Sequence, residues 1–144
     1  MLNGKAAIVG QPAFDDRWKW REQDNNEYAR ISGDAKDRTA KCLKGFKEML
    51  GKCGEMSYIL FMAPRLAEMR RTLSPTGSIY LHCDQAASAY LRLLMDAVFG
   101  PENFLNVIVW CYGLGGSTPR RYPRKHDDIL LYARDSRQHQ FVPP

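Results

Sequence analysis

The sequence predicts an α/β fold built around a mixed β-sheet, and three observations carry the prediction. A helical pattern, a short apolar run, a second helical pattern and a second apolar run follow one another between residues 56 and 111. Strand, helix and strand in this order predict two parallel strands joined by a right-handed crossover. A last apolar run at about 128–133 follows a segment without helical pattern, so it predicts an antiparallel strand that closes one sheet edge.

The chain is read as one domain, residues 1–144, with a polar, partly helical arm at 1–54 and an α/β core at 55–144. Ala6 to Val9 is a small apolar run that fits a short strand or an arm. Ala35 to Leu50 fits one amphipathic helix, since its apolar residues recur at helical spacing. Lysines dominate the other side of this segment, which is typical of a solvated helix face.

A second helix is expected at about Met56 to Leu73. Its apolar residues fall three and four positions apart and form one stripe: Ile59, Met62, Leu66, Met69 and Leu73. Pro64 lies inside this pattern, and an interior proline costs about 3 kcal/mol in helix propensity. We therefore expect a kink or a restart near Ala63. The S-P-T-G segment at 74–77 ends the helix.

The central strand–helix–strand segment begins with a strand at about 78–83, S-I-Y-L-H-C. Asp84 is suited to cap the next helix, which is expected from about Gln85 to Phe99. Gly100 and Pro101 end that helix. The second strand is expected at about 106–111. We expect three layers, with an open sheet edge that exposes apolar surface.

Composition indicates a soluble globular protein. Hydrophobic residues make up 44% and charged residues 26% of the chain. No apolar run approaches the ~20 residues that span a bilayer, and the N-terminus lacks a secretory signal pattern, so a cytoplasmic location is expected. The net charge of +5 favours nucleic-acid binding only weakly. The distribution of this charge is more informative than its total, because four cations lie within six residues: Arg120, Arg121, Arg124 and Lys125.

The four cysteines do not predict a metal site. Cys42, Cys53, Cys83 and Cys111 show no C-x-x-C pair and no histidine at zinc-finger spacing, so no metal is expected. Cys83 and Cys111 end the two strand runs and are expected to be buried thiols.

Four segments resemble the site-specific DNA amino-methyltransferases. They read R-L-x-E-M-R-R-x-L-x-P-T-G-S-I-Y-L-H-C-D from residue 65, A-S-x-Y-L-x-L-L-M-D-A-V-F-G-x-E-N-F from residue 87, K-H-D-x-I-L-L-Y-x-R from residue 125, and F-D-D-R-W-K-W at 14–20. Their order is similar to the type III restriction–modification-like branch, in which the catalytic motif precedes the cofactor motif. The resemblance runs from about Phe14 to Val142.

This resemblance implies a partial Rossmann-like methyltransferase domain that uses S-adenosyl-methionine to methylate the exocyclic amine of a base flipped out of double-stranded DNA. The K-H-D and L-H-C-D segments favour adenine, and cytosine stays open. The family's D-P-P-Y tetrapeptide and F-x-G-x-G cofactor motif are absent from these 144 residues. The chain is therefore interpreted as the central part of a methyltransferase, with a catalytic residue set and a cofactor site supplied by missing segments or another subunit.

Candidate site residues fall in three groups. His82 and Asp84 end the first strand, where α/β sheets collect ligands, and the resemblance places them beside the base pocket. A satisfied core histidine and a helix cap are the alternative interpretations. Phe14, Trp18 and Trp20 form either a core-anchored loop or a flap whose rings stack on a base. DNA-backbone contacts are expected from a basic loop, Arg120, Arg121, Arg124, Lys125 and His126.

Two other functions stay open. The chain can be a catalytically inactive relative that is kept as a DNA-binding or partner-binding module. It can also be a small-molecule methyltransferase or another α/β enzyme, although such an enzyme would not need the basic loop.

The isolated 144-residue chain is expected to transfer no methyl group from S-adenosyl-methionine to DNA. The segments that orient the target amine and hold the cofactor are not among its residues. Incubation with labelled cofactor and duplex DNA measures this directly. Turnover by the purified chain, or tight cofactor binding in calorimetry, would contradict the interpretation.

Overall fold

The computed structural model describes residues 18–113 and 119–142, which form four helices, one 3-10 turn and three strands. The helices are α1 (Glu22–Ser32), α2 (Arg38–Leu50), α3 (Gly54–Thr72) and α4 (Ser88–Phe99), with a 3-10 turn at Pro101–Asn103. The strands are β1 (Ser78–Cys83), β2 (Phe104–Cys111) and β3 (His126–Ala133). The three strands lie where the sequence predicts them. The predictions for Ala6 to Val9 and for Phe14 fall outside the described residues.

The sheet has the order β1-β3-β2, and both pairs are antiparallel. The predicted antiparallel pairing of β2 with β3 is confirmed, but the predicted position of β3 at the sheet edge is wrong. β1 and β2 run in the same direction because each is antiparallel to β3, yet they are not neighbours, so the described residues contain no parallel pair. β3 lies between β1 and β2 and pairs with both, and its side chains over Ile129–Ala133 are apolar on both faces of the sheet.

The helices cover one face of this sheet. Strand residues that belong to the core all share that face, as the pairing register requires: Ile79, Leu81, Cys83, Phe104, Val107, Leu130 and Tyr132. The opposite face presents Tyr80, Ile108 and Trp110, which are 56%, 39% and 58% exposed. The described part of the chain therefore has two layers, and the prediction of three layers is wrong for these residues. The predicted exposed apolar surface is present, but mainly on a face of the sheet.

The core lies between this face and helices α2, α3 and α4. α2 contributes Leu43 and Phe46 to the core, and α3 contributes the buried residues of its apolar face. α4 contributes Leu91, Leu94 and Met95, and these three side chains are fully buried. Phe46 meets Tyr90 of α4 edge-on, with ring centroids 5.8 Å apart. The predicted helix at Ala35–Leu50 thus forms over most of its length and packs into the same core as α3 and α4.

Several local expectations need correction. α3 runs as one helix through Pro64 without a restart, because buried residues lie on both sides of the proline, Ile59 and Ala63 before it and Leu66 after it. α4 begins at Ser88 rather than Gln85, since residues 85–87 form a turn that Asp84 caps. α1 was not expected, because its sequence E-Q-D-N-N-E-Y-A-R-I-S carries few apolar residues. Cys83 is buried as predicted, but Cys111 is exposed.

No helix in the two described ranges is long and apolar enough to cross a membrane.

Two adjacent leucines of α4 allow a matched test of the core. Leu94 is fully buried, whereas Leu93 is 54% exposed. Leu94→Ala is expected to lower the free energy of unfolding by about 2–5 kcal/mol, because it removes buried methyl groups and leaves a cavity. Leu93→Ala is expected to change it by at most about 0.5 kcal/mol. Urea-induced unfolding measures both, and equal losses would contradict the assignment of the buried face.

Candidate functional site

The carboxyl ends of β1 and β2 and the amino end of β3 meet at one end of the sheet. The register shows this directly, since Cys83 pairs with Asp128 and Cys111 pairs with His126. Ligands of open α/β sheets bind outside the carboxyl ends of the strands. A cleft of about 700 Å³ opens at the end of β1.

The cleft combines aromatic rings with carboxylates. Its walls come from the segment before α1, the start of α3, the end of β1, the start of α4 and the start of β3: Trp18, Gly54, Glu55, Tyr58, Ile59, His82, Cys83, Asp84, Ala86, Ala87, Tyr90 and Asp127. Three rings supply apolar faces, and three carboxylates supply hydrogen-bond acceptors. A flat ligand that donates hydrogen bonds suits such a lining, whereas a phosphate does not.

His82 is one member of a hydrogen-bonded cluster at this sheet end. Its Nε2 lies 2.8 Å from Asp127 Oδ2, and the Tyr112 hydroxyl donates to the same carboxylate oxygen. The hydrogen bond from Tyr112, reinforced by His82, holds the pKa of Asp127 below its ordinary value. The same bond raises the pKa of Tyr112. Asp127 is therefore ionised near neutral pH and fixes one nitrogen of the His82 ring as a donor.

The predicted helix cap by Asp84 is wrong, because the N-cap of α4 is Ala87 and no side chain caps that helix. Asp84 Oδ1 instead accepts hydrogen bonds from Ala86 N (3.0 Å) and Ala87 N (2.9 Å) in the turn before the helix. The side chain also lines the cleft. Burial raises the pKa of the neighbouring Cys83 thiol to about 11. This thiol is therefore protonated near neutral pH and is not suited to act as a nucleophile.

Trp18 lies at the mouth of the cleft. Its ring packs against Tyr58 (centroids 5.2 Å apart) and Phe61 (4.8 Å), and the side chain remains 43% exposed. Gly54 makes this position possible, because a Cβ atom there would lie 2.3 Å from the Trp18 carbonyl oxygen. Trp18 is therefore the residue of the predicted aromatic flap that lines the same cleft as His82 and Asp84.

Trp20 does not line this cleft. Its Nε1 donates to Asn25 Oδ1 (3.2 Å), and its ring packs against the core. The Lys47 ammonium lies 3.7 Å from the centre of the ring, and burial lowers the pKa of Lys47. Trp20 therefore fits the predicted anchoring role, and Phe14 lies outside the described residues.

The basic arm, residues 119–125, follows β2 and leads into β3. Arg120, Arg121 and Arg124 have exposed side chains, and Lys125 is half-buried. The arm is joined to the sheet where Tyr112 N donates to the Lys125 carbonyl oxygen (2.7 Å). His126 is already inside β3, where the Gln85 amide nitrogen lies 3.0 Å from its ring and donates to its carbonyl oxygen (3.1 Å). The arm and the cleft therefore lie at the same end of the sheet.

Sequence reasoning missed Asp127 and Tyr112, and it missed Tyr58 and Tyr90 as cleft residues. The K-H-D segment was noted, but only its lysine and histidine were assigned a role. A carboxylate directly before an apolar strand was the available signal for Asp127. Tyr58 and Tyr90 carried no local signal, because each lies within the pattern of its own helix.

No group of three or more histidine, cysteine or acidic side chains in residues 18–113 and 119–142 is arranged to hold a metal ion. A helix-covered sheet with a ring-lined, acidic cleft at its strand ends defines an α/β domain, and the lining of the cleft suits a flat organic group.

The chain belongs to a DNA methylase family, whose model matches residues 14–143. It is 33% identical over 78 residues, 54% of the chain, to the type II methyltransferase M.KpnI of Klebsiella pneumoniae. It is 35% identical over 65 residues, 45% of the chain, to the probable type III restriction-modification enzyme HindVI Mod subunit of Haemophilus influenzae. It is also 35% identical over 68 residues, 47% of the chain, to the StyLTI Mod subunit of Salmonella typhimurium.

The matched segments make up 19%, 9% and 10% of these three relatives. The match to the chain is therefore confined to a small part of each relative. The resemblance stated from the sequence motifs is confirmed at the level of the family.

Tyr112→Phe is expected to raise the pKa of Asp127 toward its ordinary value of 3.8, because it removes the largest cause of the lowered value. A carboxyl group whose folded pKa is lowered adds stability above its unfolded pKa and loses that contribution as the pH falls. Tyr112→Phe should therefore be less stable than the wild type at neutral pH, and this difference should vanish in acid.

Carboxyl-carbon NMR titration and urea unfolding at several pH values measure these two effects. Tyr122→Phe is the matched control, since Tyr122 is 97% exposed. An Asp127 midpoint that is the same in both variants would contradict the hydrogen-bonded cluster.

Proposed function

We propose that this chain is part of an S-adenosyl-methionine-dependent DNA methyltransferase that acts on the exocyclic amine of a flipped base. Adenine is favoured as the target. A bacterial or phage restriction–modification context is favoured by the printed names of the relatives, which are type II methyltransferases and type III Mod subunits. The observation that carries the proposal is the ring-lined, acidic cleft at the end of β1 in a chain of the DNA methylase family.

The cleft suits a base that has left the duplex. A flipped base is held by stacking on aromatic rings and by hydrogen bonds to its edge. Trp18, Tyr58 and Tyr90 supply the rings, while Asp84 supplies acceptor oxygens for an exocyclic amine. Because the carboxylates repel phosphate, the DNA backbone is expected to lie outside the cleft.

In this proposal Asp127 is a positioning residue. Its carboxylate accepts the hydrogen bond from His82 Nε2 at 2.8 Å and so holds the imidazole ring at the edge of the cleft. His82 is 61% exposed at the side chain, so a ligand in the cleft can reach it.

The methyl donor supplies an electrophilic methyl group when it is bound, and the residues described here do not fit its binding. Among residues 18–113 and 119–142, Gly54 is the only glycine that lines the cleft, and the Trp18 carbonyl already occupies the space beside its Cα. No glycine-rich cofactor loop is present there. We therefore assign cofactor binding to other methyltransferase segments or to another subunit, and we expect the assembly to act on cytoplasmic DNA.

The basic arm is assigned to the DNA backbone. Arg120, Arg121, Arg124 and Lys125 bring four cations to the sheet end that carries the cleft. Phosphate contacts of this kind position a duplex without reading its sequence. The flipped base would then bind in the acidic cleft, and the DNA phosphates would bind the basic arm.

Replacement of all four arm cations by alanine is expected to weaken duplex binding and to flatten its salt dependence. If all four contact phosphates, the slope of log affinity against log salt changes by about 3–4, since each contact contributes roughly 0.9. Fluorescence anisotropy with a labelled duplex at several salt concentrations measures the slope. The loss should be uniform across DNA sequences.

The matched control removes the same charge elsewhere, by alanine at the exposed residues Lys36, Lys41, Lys44 and Lys52. Its slope should change much less than that of the arm variant. Equal slopes for the two variants would exclude the arm from the DNA interface.

A further inference from the structure

A second cavity meets the cleft at Trp18. It has a volume of about 670 Å³ and is lined by the segment before α1, by α1 itself and by α3. Trp18 lines both this cavity and the cleft, so the two spaces meet at this residue. A group bound in the second cavity would therefore be the neighbour of a group bound in the cleft.

A continuous stack of side chains joins the two spaces. The Tyr58 ring of the cleft packs against Trp18 (centroids 5.2 Å apart), and Trp18 packs against Phe61 (4.8 Å). The Arg65 guanidinium carbon lies 3.2 Å from the centre of the Phe61 ring, and Arg65 Nη1 donates to the Phe61 carbonyl oxygen (2.6 Å). These contacts hold the guanidinium in place, and a guanidinium that is already ordered loses less conformational freedom when it binds an oxyanion.

The second cavity is cationic, whereas the cleft is acidic. Lys19, Arg21 and Arg65 line the second cavity, and all three are exposed, so the cavity opens to the surface. In the part of the chain that the structure describes, no lysine or arginine lines the cleft. Opposite charges therefore lie on the two sides of Trp18.

The two acids of the second cavity already have partners within the protein. Asp24 Oδ2 accepts hydrogen bonds from Ser57 Oγ (2.9 Å) and from the backbone nitrogen of Arg21 (2.8 Å). Both carboxylate oxygens of Glu27 accept from the Arg30 guanidinium, at 2.6 and 2.9 Å, and this holds the pKa of Glu27 below its ordinary value. The negative charge of both acids is thus compensated, and the lining cations leave the cavity with an excess of positive charge.

We propose that the second cavity binds the backbone phosphate next to the base that occupies the cleft. The Arg21 and Arg65 side chains donate hydrogen bonds to the phosphate oxygens, and Trp18 lies between the phosphate and the base. This inference rests on the proposed function and deepens it, because it adds a contact to the flipped nucleotide itself. The site therefore favours a nucleotide over the corresponding nucleoside.

The shared residue Trp18 favours a nucleotide over other anions. A free phosphate or an acidic side chain of a protein partner would need only the cations, and neither would use the ring-lined cleft beside them. A nucleotide uses both spaces, because its base stacks on the rings while its phosphate pairs with the arginines. The basic arm precedes β3, whereas the second cavity lies against α1 and α3, so the two contact different phosphates.

NMR titration of the wild-type chain with three kinds of compound tests the proposal: inorganic phosphate, deoxyadenosine, and the 3′- and 5′-monophosphates of deoxyadenosine. Phosphate should shift the side-chain N–H signal of Arg65, and the nucleoside should shift the indole N–H signal of Trp18. One of the monophosphates should shift both signals and bind more tightly than the nucleoside. The corresponding deoxycytidine compounds, titrated in parallel, cover a cytosine target.

Arg65→Gln should weaken binding of the monophosphate by about 2- to 5-fold, the usual effect of one exposed ion pair, and leave the affinity for the nucleoside unchanged. Arg21→Gln is an independent second variant and should act in the same direction. Arg71→Gln is the matched control, since Arg71 is an exposed arginine of the same helix that does not line the cavity. This control should leave all affinities unchanged.

Equal affinities of the wild type for nucleoside and monophosphates would overturn the inference, and so would equal losses for Arg65→Gln and Arg71→Gln. Nucleoside binding in the cleft without an added effect of phosphate would leave the proposed function intact. Phosphate binding at Arg65 without any nucleoside binding would contradict both, because the cavity would then hold a free anion and the cleft no base.

Discussion

The packing of β3 between two antiparallel neighbours is the constraint on which the rest of the structure depends. Tyr132 is fully buried at its centre, where its ring meets Phe99 (centroids 5.8 Å apart) and Phe104 (5.3 Å). Its hydroxyl donates to Asp96 Oδ1 of α4 at 2.5 Å, and burial raises the pKa of Tyr132 further. One side chain thus joins the central strand to both the edge strand β2 and the helical layer. Removal of the Tyr132 hydroxyl would leave the partly buried Asp96 carboxylate without this hydrogen bond, which would lower the stability of the fold.

The direction of β3 also creates the candidate site. Because β3 runs against both neighbours, its first residues lie beside the last residues of β1 and β2. His82 and Asp127 are 45 positions apart in the chain, and this arrangement brings them to 2.8 Å. The basic arm leads into β3, so the strand order also places it at the same sheet end as the cleft.

Charge is divided sharply at this end of the molecule. Glu55, Asp84 and Asp127 line the cleft, whereas the arm carries four cations within six residues. A net charge of +5 spread evenly over the surface would attract DNA without orienting it. In the proposed DNA complex, the separation of acids from cations would orient the nucleic acid, with the phosphates on the arm and outside the cleft.

The sequence by itself determined the local elements and the family. Periodicity located α3, α4 and the three strands, and the motif order identified a DNA methylase. These features depend on residues that are close in the chain, where backbone geometry and side-chain spacing act directly. The sequence also named Trp18, His82 and Asp84, which line one cleft. Strand order, the bare sheet face and the partners of Asp127 were decided only by the tertiary structure. The strand order, the bare face and these partners depend on contacts between residues that are distant in sequence. A local sequence pattern does not record such contacts.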